Sequence, residues 1–336
     1  MASDKIDSEE AIIGAFWAPL ASSFPGAFGL QDDCAAITPP AGCDLVVTTD
    51  AVIAGVHFFA DQEAGDIAWK ALAVNVSDLV AKGASPLAYV MTLALPGAPE
   101  RAWLAAFVEG LRTAQQAFGC QLVGGDTDRT PGPLSVSITA FGTVPTGGMV
   151  RRATASVGDL VYVSGTIGNA ALGLSLRRDP EVAEPWGLTP AARGQLEASY
   201  LRPRPPMGLV PAVQACASAA MDVSDGLVKD FGRMCRASGA GGVIEAARVP
   251  LSQPAATAVA RGGATLGDLL TGGEDYEVLA TVAAERAGDY ERAAEAAGTP
   301  VTRIGAIAEA AAGVRVIDAA GKDLAFAATG WDHFAN

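Results

Sequence analysis

Gly29-Leu30-Gln31-Asp32-Asp33-Cys34-Ala35 sets two adjacent carboxylates after a glycine and just ahead of an apolar run. Adjacent aspartates repel each other and favour turns over strands or helices. A cation between them turns that repulsion to use. The motif recurs along the chain. Strand-like apolar runs end in Asp50 after Val46-Val47-Thr48-Thr49, in Asp126 after Leu122-Val123-Gly124-Gly125, and in Asp222 and Asp225 within Ala219-Ala220-Met221-Asp222-Val223-Ser224-Asp225-Gly226. Asp78 lies between the first two in a helix-like segment. Several aspartates at strand ends imply an acidic basin that collects hard cations and, through them, phosphates.

Outward from these turns, the chain reads as α/β. A helix is expected over residues 8–20, opened by a capping box of Asp7 and Glu10. Residues 34–37 are a candidate short strand and 45–49 a strand rich in β-branched residues, closed by Asp50. Residues 66–81 read as a mostly buried helix with a polar stripe of Asn75, Asp78 and Lys82. Strands are expected at 87–95, 121–123 and 134–144, with a helix over 99–118. Pro145-Thr146-Gly147-Gly148 marks a domain boundary. Beyond it come a strand at 158–164, a helix starting in Gly165-Thr166-Ile167-Gly168, and a proline- and charge-rich surface excursion over 177–206. A buried strand at 219–223, a helix over 225–237 and strands at 242–245, 276–282, 301–307 and 314–317 complete the pattern.

Composition excludes several functions. The 336 residues are 50% hydrophobic and 18% charged, and carry a net charge of -14. A nucleic-acid binder needs a basic face, so that class is excluded, whereas anionic substrates remain open through bridging cations. The five cysteines form no C-x-x-C pair and their count is odd, which argues against a disulfide framework and for a reducing cytoplasm. With two histidines, there is no zinc spacing and no nucleophile elbow. The apolar stretch 11–24 follows acidic residues, unlike a signal peptide, and no run reaches the roughly 18 residues that span a bilayer.

Each candidate has a plain alternative. Ser224 and Asp225 also read as a helix cap, Asp78 as the i+4 partner of Lys82 on a wet face, and Asp32-Asp33 as an exposed turn. Their joint occurrence favours ligand sites at sheet edges. The Walker-type phosphate loop is absent. Gly124-Gly125-Asp126-Thr127 permits close approach of a phosphate or forms an ordinary tight turn. Gly165-Thr166-Ile167-Gly168 is a weaker phosphate loop, and Ser224 offers a hydroxyl and free N–H groups to an anion. Arg152 neutralises a phosphate or is a solvated linker residue. Gly272-Gly273-Glu274-Asp275-Tyr276-Glu277 is a second acidic turn, and His57 beside Phe58 and Phe59 reads as a core histidine when taken alone. A metal-rich site without a clear base suits an acceptor that is already ionised, such as a phosphate monoester.

Taken together, GLQDDCA, VVTTD, HFF, ALAVNVSDLVAKGASP, LVGGDT, MDVSDGL, TGGEDYE and GWDHF, which extend from Gly29 to Phe334, resemble the thiamine-monophosphate kinase family. The wider superfamily includes aminoimidazole ribonucleotide synthetase, selenophosphate synthetase and a hydrogenase-maturation protein. The resemblance implies ATP-dependent conversion of thiamine monophosphate to thiamine diphosphate by direct in-line transfer assisted by several magnesium ions. It implies two mixed α/β domains, an ATP-binding and dimerisation domain over 1–148 and a second over 149–336 that completes the site. The amino-terminal sheets of two subunits would meet in a homodimer. Asp33, Thr48, Thr49, Asp50, Asp78, Asp126, Asp222 and Asp225 are then expected as metal ligands. Gly125, Asp126, Arg152 and Ser224 are expected to hold ATP or its metal-bound phosphates, and His57, Glu274 and Trp331 to contact thiamine phosphate. The alternatives are another enzyme of the superfamily and a non-catalytic acidic cation binder, which would need no phosphate cradle.

Overall fold

The computed structural model describes residue 6 and residues 8–331. Asp7 of the expected capping box lies outside them, as do Asp332, His333 and Phe334 of the terminal motif. Ser8 takes the cap, its hydroxyl accepting from Ala11 N–H at 3.4 Å. The chain divides into two compact units, Met1–Leu79 with Ala84–Gly147, and Val80–Gly83 with Gly148–Asn336. Both are mixed α/β domains.

The first unit carries a four-stranded sheet in the order β1-β4-β2-β3, with β1 Cys43–Ile53, β2 Ser85–Leu95, β3 Gln121–Arg129 and β4 Ser135–Pro145. β2 and β3 are parallel and joined through the helix Arg101–Phe118; β4 runs antiparallel to both its neighbours. A parallel pair needs such a crossover. Tyr89, Met91 and Leu93 of β2 and Ile138 and Ala140 of β4 are buried on one face. There the Tyr89 hydroxyl donates to Gln115 of the crossover helix at 2.9 Å. The same side-chain oxygen accepts Leu122 N–H at 3.1 Å, tying helix to β3 as well. The helix Ala64–Ala81 joins this layer through Trp69, whose ring lies 5.0 Å from that of Phe118. On β1 the large residues Leu45 and Val47 stay exposed.

Two expectations fail in this unit. Residues 34–37 form no strand. Asp50 and Asp126 do not close their strands: β1 continues to Ile53 and β3 through Gly124-Gly125-Asp126-Thr127 to Arg129. Both strands are sheet edges, where one side of the backbone is unpaired and polar residues that break an inner strand are tolerated. The expected glycine turn is therefore strand, and the register shift opposite it, at Tyr89/Val90, absorbs its irregularity.

The second unit carries a six-stranded mixed sheet, β10-β7-β9-β5-β8-β6. Its strands are β5 Leu160–Ser164, β6 Ala217–Val223, β7 Gly241–Glu245, β8 Glu277–Val282, β9 Val301–Ala308 and β10 Val314–Ile317. Val161, Met221, Ile244, Leu279 and Ile304 build its core against Phe231 of the helix Leu227–Ala237. The supposed surface excursion is a second correction. It contains the helix Pro190–Leu201, which packs on Asn169–Arg178 and buries Trp186 and Leu196 with Leu172 and Leu176. Pro190 sits in its first turn, where a missing N–H costs nothing, and Thr189 caps it by accepting from Ala192 N–H.

Candidate functional site

Alternation along β1 sorts its polar run. Thr48 and Asp50 share the face of buried Val46 and Val52, and Thr49 faces the other way. The Thr48 hydroxyl donates to the Asp78 carboxylate at 2.5 Å, and the Asp50 N–H donates to the Asn75 side chain at 2.9 Å. The polar stripe of the 64–81 helix thus meets β1 instead of lying on a wet face. Lys82 does not pair with Asp78 in this arrangement; its amine donates to the Ala220 carbonyl at 2.6 Å within the second unit. The Thr49 hydroxyl donates to the Ile138 carbonyl and accepts from Thr139, both at 3.1 Å. Beyond β1, His57 accepts Ile53 N–H on Nδ1 at 3.1 Å, which leaves Nε2 to carry the proton of the neutral ring. Its carbonyl accepts from the fully buried Lys70 at 2.8 Å.

At the opposite edge, Asp32, Asp33, Gly125 and Asp126 line a cavity of about 250 Å³ together with Trp17 and Leu30. A Cβ on Gly125 would overlap the Met91 carbonyl oxygen, so this close approach of β2 and β3 requires glycine. Trp17 is fixed as a wall by its indole N–H, which donates to Thr127 at 3.0 Å. Ahead of the aspartates, Phe28 and Leu30 take the strained φ values of +50° and +58°. Asp50 lies on the same cross-sheet row as Gly125, through Ile138 and Met91. The row spans three strand spacings, about 14 Å. Asp50 and Asp126 of one chain therefore stand at separate stations.

In the second unit three segments converge. Glu274 N–H donates to the Ser224 carbonyl at 2.7 Å, Tyr276 N–H to Val223 at 2.8 Å, and Trp331 N–H to Asp225 at 2.9 Å. Gly273 lacks the Cβ that would overlap the Ser224 carbonyl oxygen. Asp222, Ser224, Asp225, Glu274 and Trp331 thus come from distant stretches to one corner. Glu274 and Tyr276 hold φ at +72° and +52° to achieve it. The Trp331 backbone is pinned, its carbonyl also accepting from Lys229, while the residue as a whole is 49% exposed. A buried tail anchor would hide that indole.

Ser224 and Asp225 do not cap the following helix with their side chains; Gly226 occupies the cap without a side-chain bond. Nor are their N–H groups free for an anion. Both donate to one oxygen of the buried Asp230 carboxylate, at 3.1 and 2.9 Å. Arg233 pairs with Asp230 at 2.9 Å and also with Asp225. Burial pushes Asp230 up to about 6 against the pull of these donors. The 165–168 turn is likewise closed to phosphate. Gly168 N–H donates to Asp275 at 2.9 Å, and Glu277 takes the Ser164 hydroxyl at 2.5 Å. Arg152 is exposed, and its carbonyl accepts from Ser238 at the far end of the 227–237 helix from Ser224, about 16 Å along the axis. Trp17, Asp230 and Arg233 are not among the candidates read from the sequence. Only the Asp230–Arg233 spacing of three on a helix carried a readable signal.

The donors gathered here are carboxylates, hydroxyls and carbonyls, which suit a hard cation. Among the described residues no three His, Cys, Asp or Glu side chains form a metal-holding group.

Residues 31–144 match the AIR synthase related protein, N-terminal domain family, and residues 156–318 the corresponding C-terminal domain family. The chain is 39% identical over 308 residues to a thiamine-monophosphate kinase of Salmonella typhimurium, covering 91% of this chain and 92% of that one. The crystal structure of thiamine-monophosphate kinase from Stenotrophomonas maltophilia superposes with a TM-score of 0.78 at 39% identity, covering 88% of this chain and 91% of that one. AaThiL complexed with AMPPCP and TMP superposes with a TM-score of 0.75 at 31% identity, covering 92% and 97%.

The Asp275 site sets a pH dependence. Burial, with Glu277 and Glu274 nearby, raises its carboxyl to about 8 although two N–H groups pull it down. The folded state therefore keeps a proton that the unfolded chain releases near pH 4. The stability this contributes is complete below that pH and is lost as pH rises through about 8. Asp275→Asn removes the dependence. Its melting temperature is expected to gain about 3 °C or more on wild type between pH 5.5 and pH 8.5. Parallel melting curves across that range would contradict the assignment.

Proposed function

The chain belongs to the thiamine-monophosphate kinase family, and on that premise we propose that it transfers the terminal phosphoryl group of ATP directly, in line, to thiamine monophosphate. The products are thiamine diphosphate and ADP. An oxygen of the acceptor phosphate forms the new bond to the γ-phosphorus as the bond to the β-bridging oxygen breaks. That acceptor is ionised near neutral pH, so no protein base is required. The observation that carries this reading is the corner where Ser224 and Asp225 meet Glu274 and Trp331. A hydroxyl and a carboxylate of phosphate-site type stand beside a carboxylate and an exposed indole, both suited to the cationic, flat thiamine head. His57 is assigned to the same substrate. Gly125, Asp126, Arg152 and Ser224 are assigned to ATP, with the cavity beside Gly125 supporting a nucleotide there.

Asp33, Thr48, Thr49, Asp50, Asp78, Asp126, Asp222 and Asp225 would hold several magnesium ions, Thr49 through its backbone, since its hydroxyl is turned away. Bound magnesium supplies charge neutralisation to the phosphates. The chain's residues orient those phosphates and keep them aligned. We place the reaction in the cytoplasm, supported by five free cysteines; no described helix is long and apolar enough to cross a membrane.

A homodimer is part of the reading, supported by the edge positions of Asp50 and Asp126 and by the exposed Leu45 and Val47 on β1. Pairing β1 of one copy with β3 of a second would bring the two stations together, where a single sheet holds them about 14 Å apart.

Two measurements test the proposal. Incubation with ATP and magnesium is expected to convert thiamine monophosphate and leave free thiamine untouched; equal or better transfer to thiamine would overturn the acceptor assignment. Asp50→Asn and Asp126→Asn are each expected to abolish turnover. Mixing the two variants under subunit exchange should restore about a quarter of wild-type activity, because half the dimers then hold one intact composite site. No recovery after verified exchange would place both aspartates in sites of a single chain.

A further inference from the structure

The turn that carries Ser224 and Asp225 is held on its carbonyl side by the N–H groups of Tyr276, Glu274 and Trp331. Val223 ends the edge strand β6, and the helix after it starts only at Leu227. Asp230 lies one turn into that helix with a fully buried side chain. A single oxygen of its carboxylate accepts both Ser224 N–H and Asp225 N–H, at 3.1 and 2.9 Å. The other oxygen takes Arg233 at 2.9 Å. Arg233 also pairs with the Asp225 carboxylate, and Lys229 stands 3.8 Å from it. The guanidinium fork is planar and binds two carboxylates in fixed directions, which an ammonium does not. The two N–H groups of the turn are thus held by one carboxylate oxygen, and the Asp225 side chain is linked to the same carboxylate through Arg233.

We propose that Asp230 is a positioning residue for phosphoryl transfer, clamping the 224–225 backbone directly and aiming the Asp225 carboxylate through Arg233. This rests on the proposed reaction, because it assigns Ser224 and Asp225 to the reacting phosphates. Asp230 itself touches no substrate. Its carboxylate is turned inward, its lone pairs spent on two backbone donors and one guanidinium. The clamp also explains why the sequence places an aspartate on the buried face of the helix. Uncompensated burial of a carboxylate is costly, and here three donors offset it.

Asp230→Ala removes the clamp. Amide hydrogen exchange at Ser224 and Asp225 is expected to quicken at least ten-fold while the amides of β8 keep wild-type protection. In the same variant kcat should fall ten-fold or more, with KM for thiamine monophosphate changed less than about two-fold. Asp230→Asn keeps a carbonyl that can accept both N–H groups but loses the charge that holds Arg233. It is expected to restore amide protection and only part of kcat. Arg233→Lys keeps the positive charge, leaves the amides protected and should lower kcat several-fold. Unchanged exchange in Asp230→Ala would overturn the clamp. Faster exchange at the two amides with wild-type kcat would overturn its role in positioning. Loss of β8 protection in both Asp230→Ala and Asp230→Asn would reduce the residue to a fold determinant and overturn the proposal as well. A wild-type chain without transfer to thiamine monophosphate would defeat the proposed reaction, and with it the positioning role, while the exchange measurement would still decide whether the clamp exists.

Discussion

Like charges held close repel, and every element of the candidate site is arranged around that constraint. Two carboxylates 4 Å apart cost about 4 kcal/mol at the effective dielectric of a protein surface. The chain meets the cost in three ways. Asp50 and Asp126 are set on opposite edges of one sheet. Asp225 and Asp230 share the Arg233 guanidinium. Asp275 and Glu277 are pushed up to about 8 and about 7 by burial and so carry less charge near neutral pH. Under the proposed function, the exposed carboxylates of Asp33 and Asp126 at the cavity beside Gly125 are where an external divalent cation would offset the repulsion.

This division separates acids that hold turns from those assigned to metal under the proposed function. Asp275 and Asp230 each accept two backbone N–H groups and rebuild a turn that would otherwise be loose. The Asp78 carboxylate accepts the Thr48 hydroxyl, and the Asp50 backbone N–H donates to the Asn75 side chain. Thiamine monophosphate presents the complementary problem, a cationic head on an anionic tail. Under the proposed function, Glu274 and Trp331 would address the head, beside the Ser224 assigned to the phosphates of ATP.

Much of this was legible in the chain itself. Alternating apolar residues gave most strands of both sheets, and the 64–81 helix was readable as buried because its apolar positions nearly encircle it. The carboxylates were readable because aspartates after apolar runs are rare in inner strands. What the sequence hid depends on long-range packing. Asp50 and Asp126 looked like strand terminators because local propensity cannot tell an edge strand from an inner one. The helix Pro190–Leu201 was hidden by a proline that is harmless in a first turn. Asp230 could not be singled out, since nothing local shows that its carboxylate folds back onto the preceding turn. The resemblance to a known family supplied roles for His57, Glu274 and Trp331 that no spacing argument could assign.

The account's central claim is that phosphate passes straight from one oriented phosphate to another, with no protein nucleophile in between. The stereochemical course at the γ-phosphorus tests this most directly. With ATP made chiral at that phosphorus by oxygen isotopes, a single in-line displacement inverts the configuration in the thiamine diphosphate formed. The account expects inversion. Retention would require two displacements through a phosphorylated side chain and would contradict it.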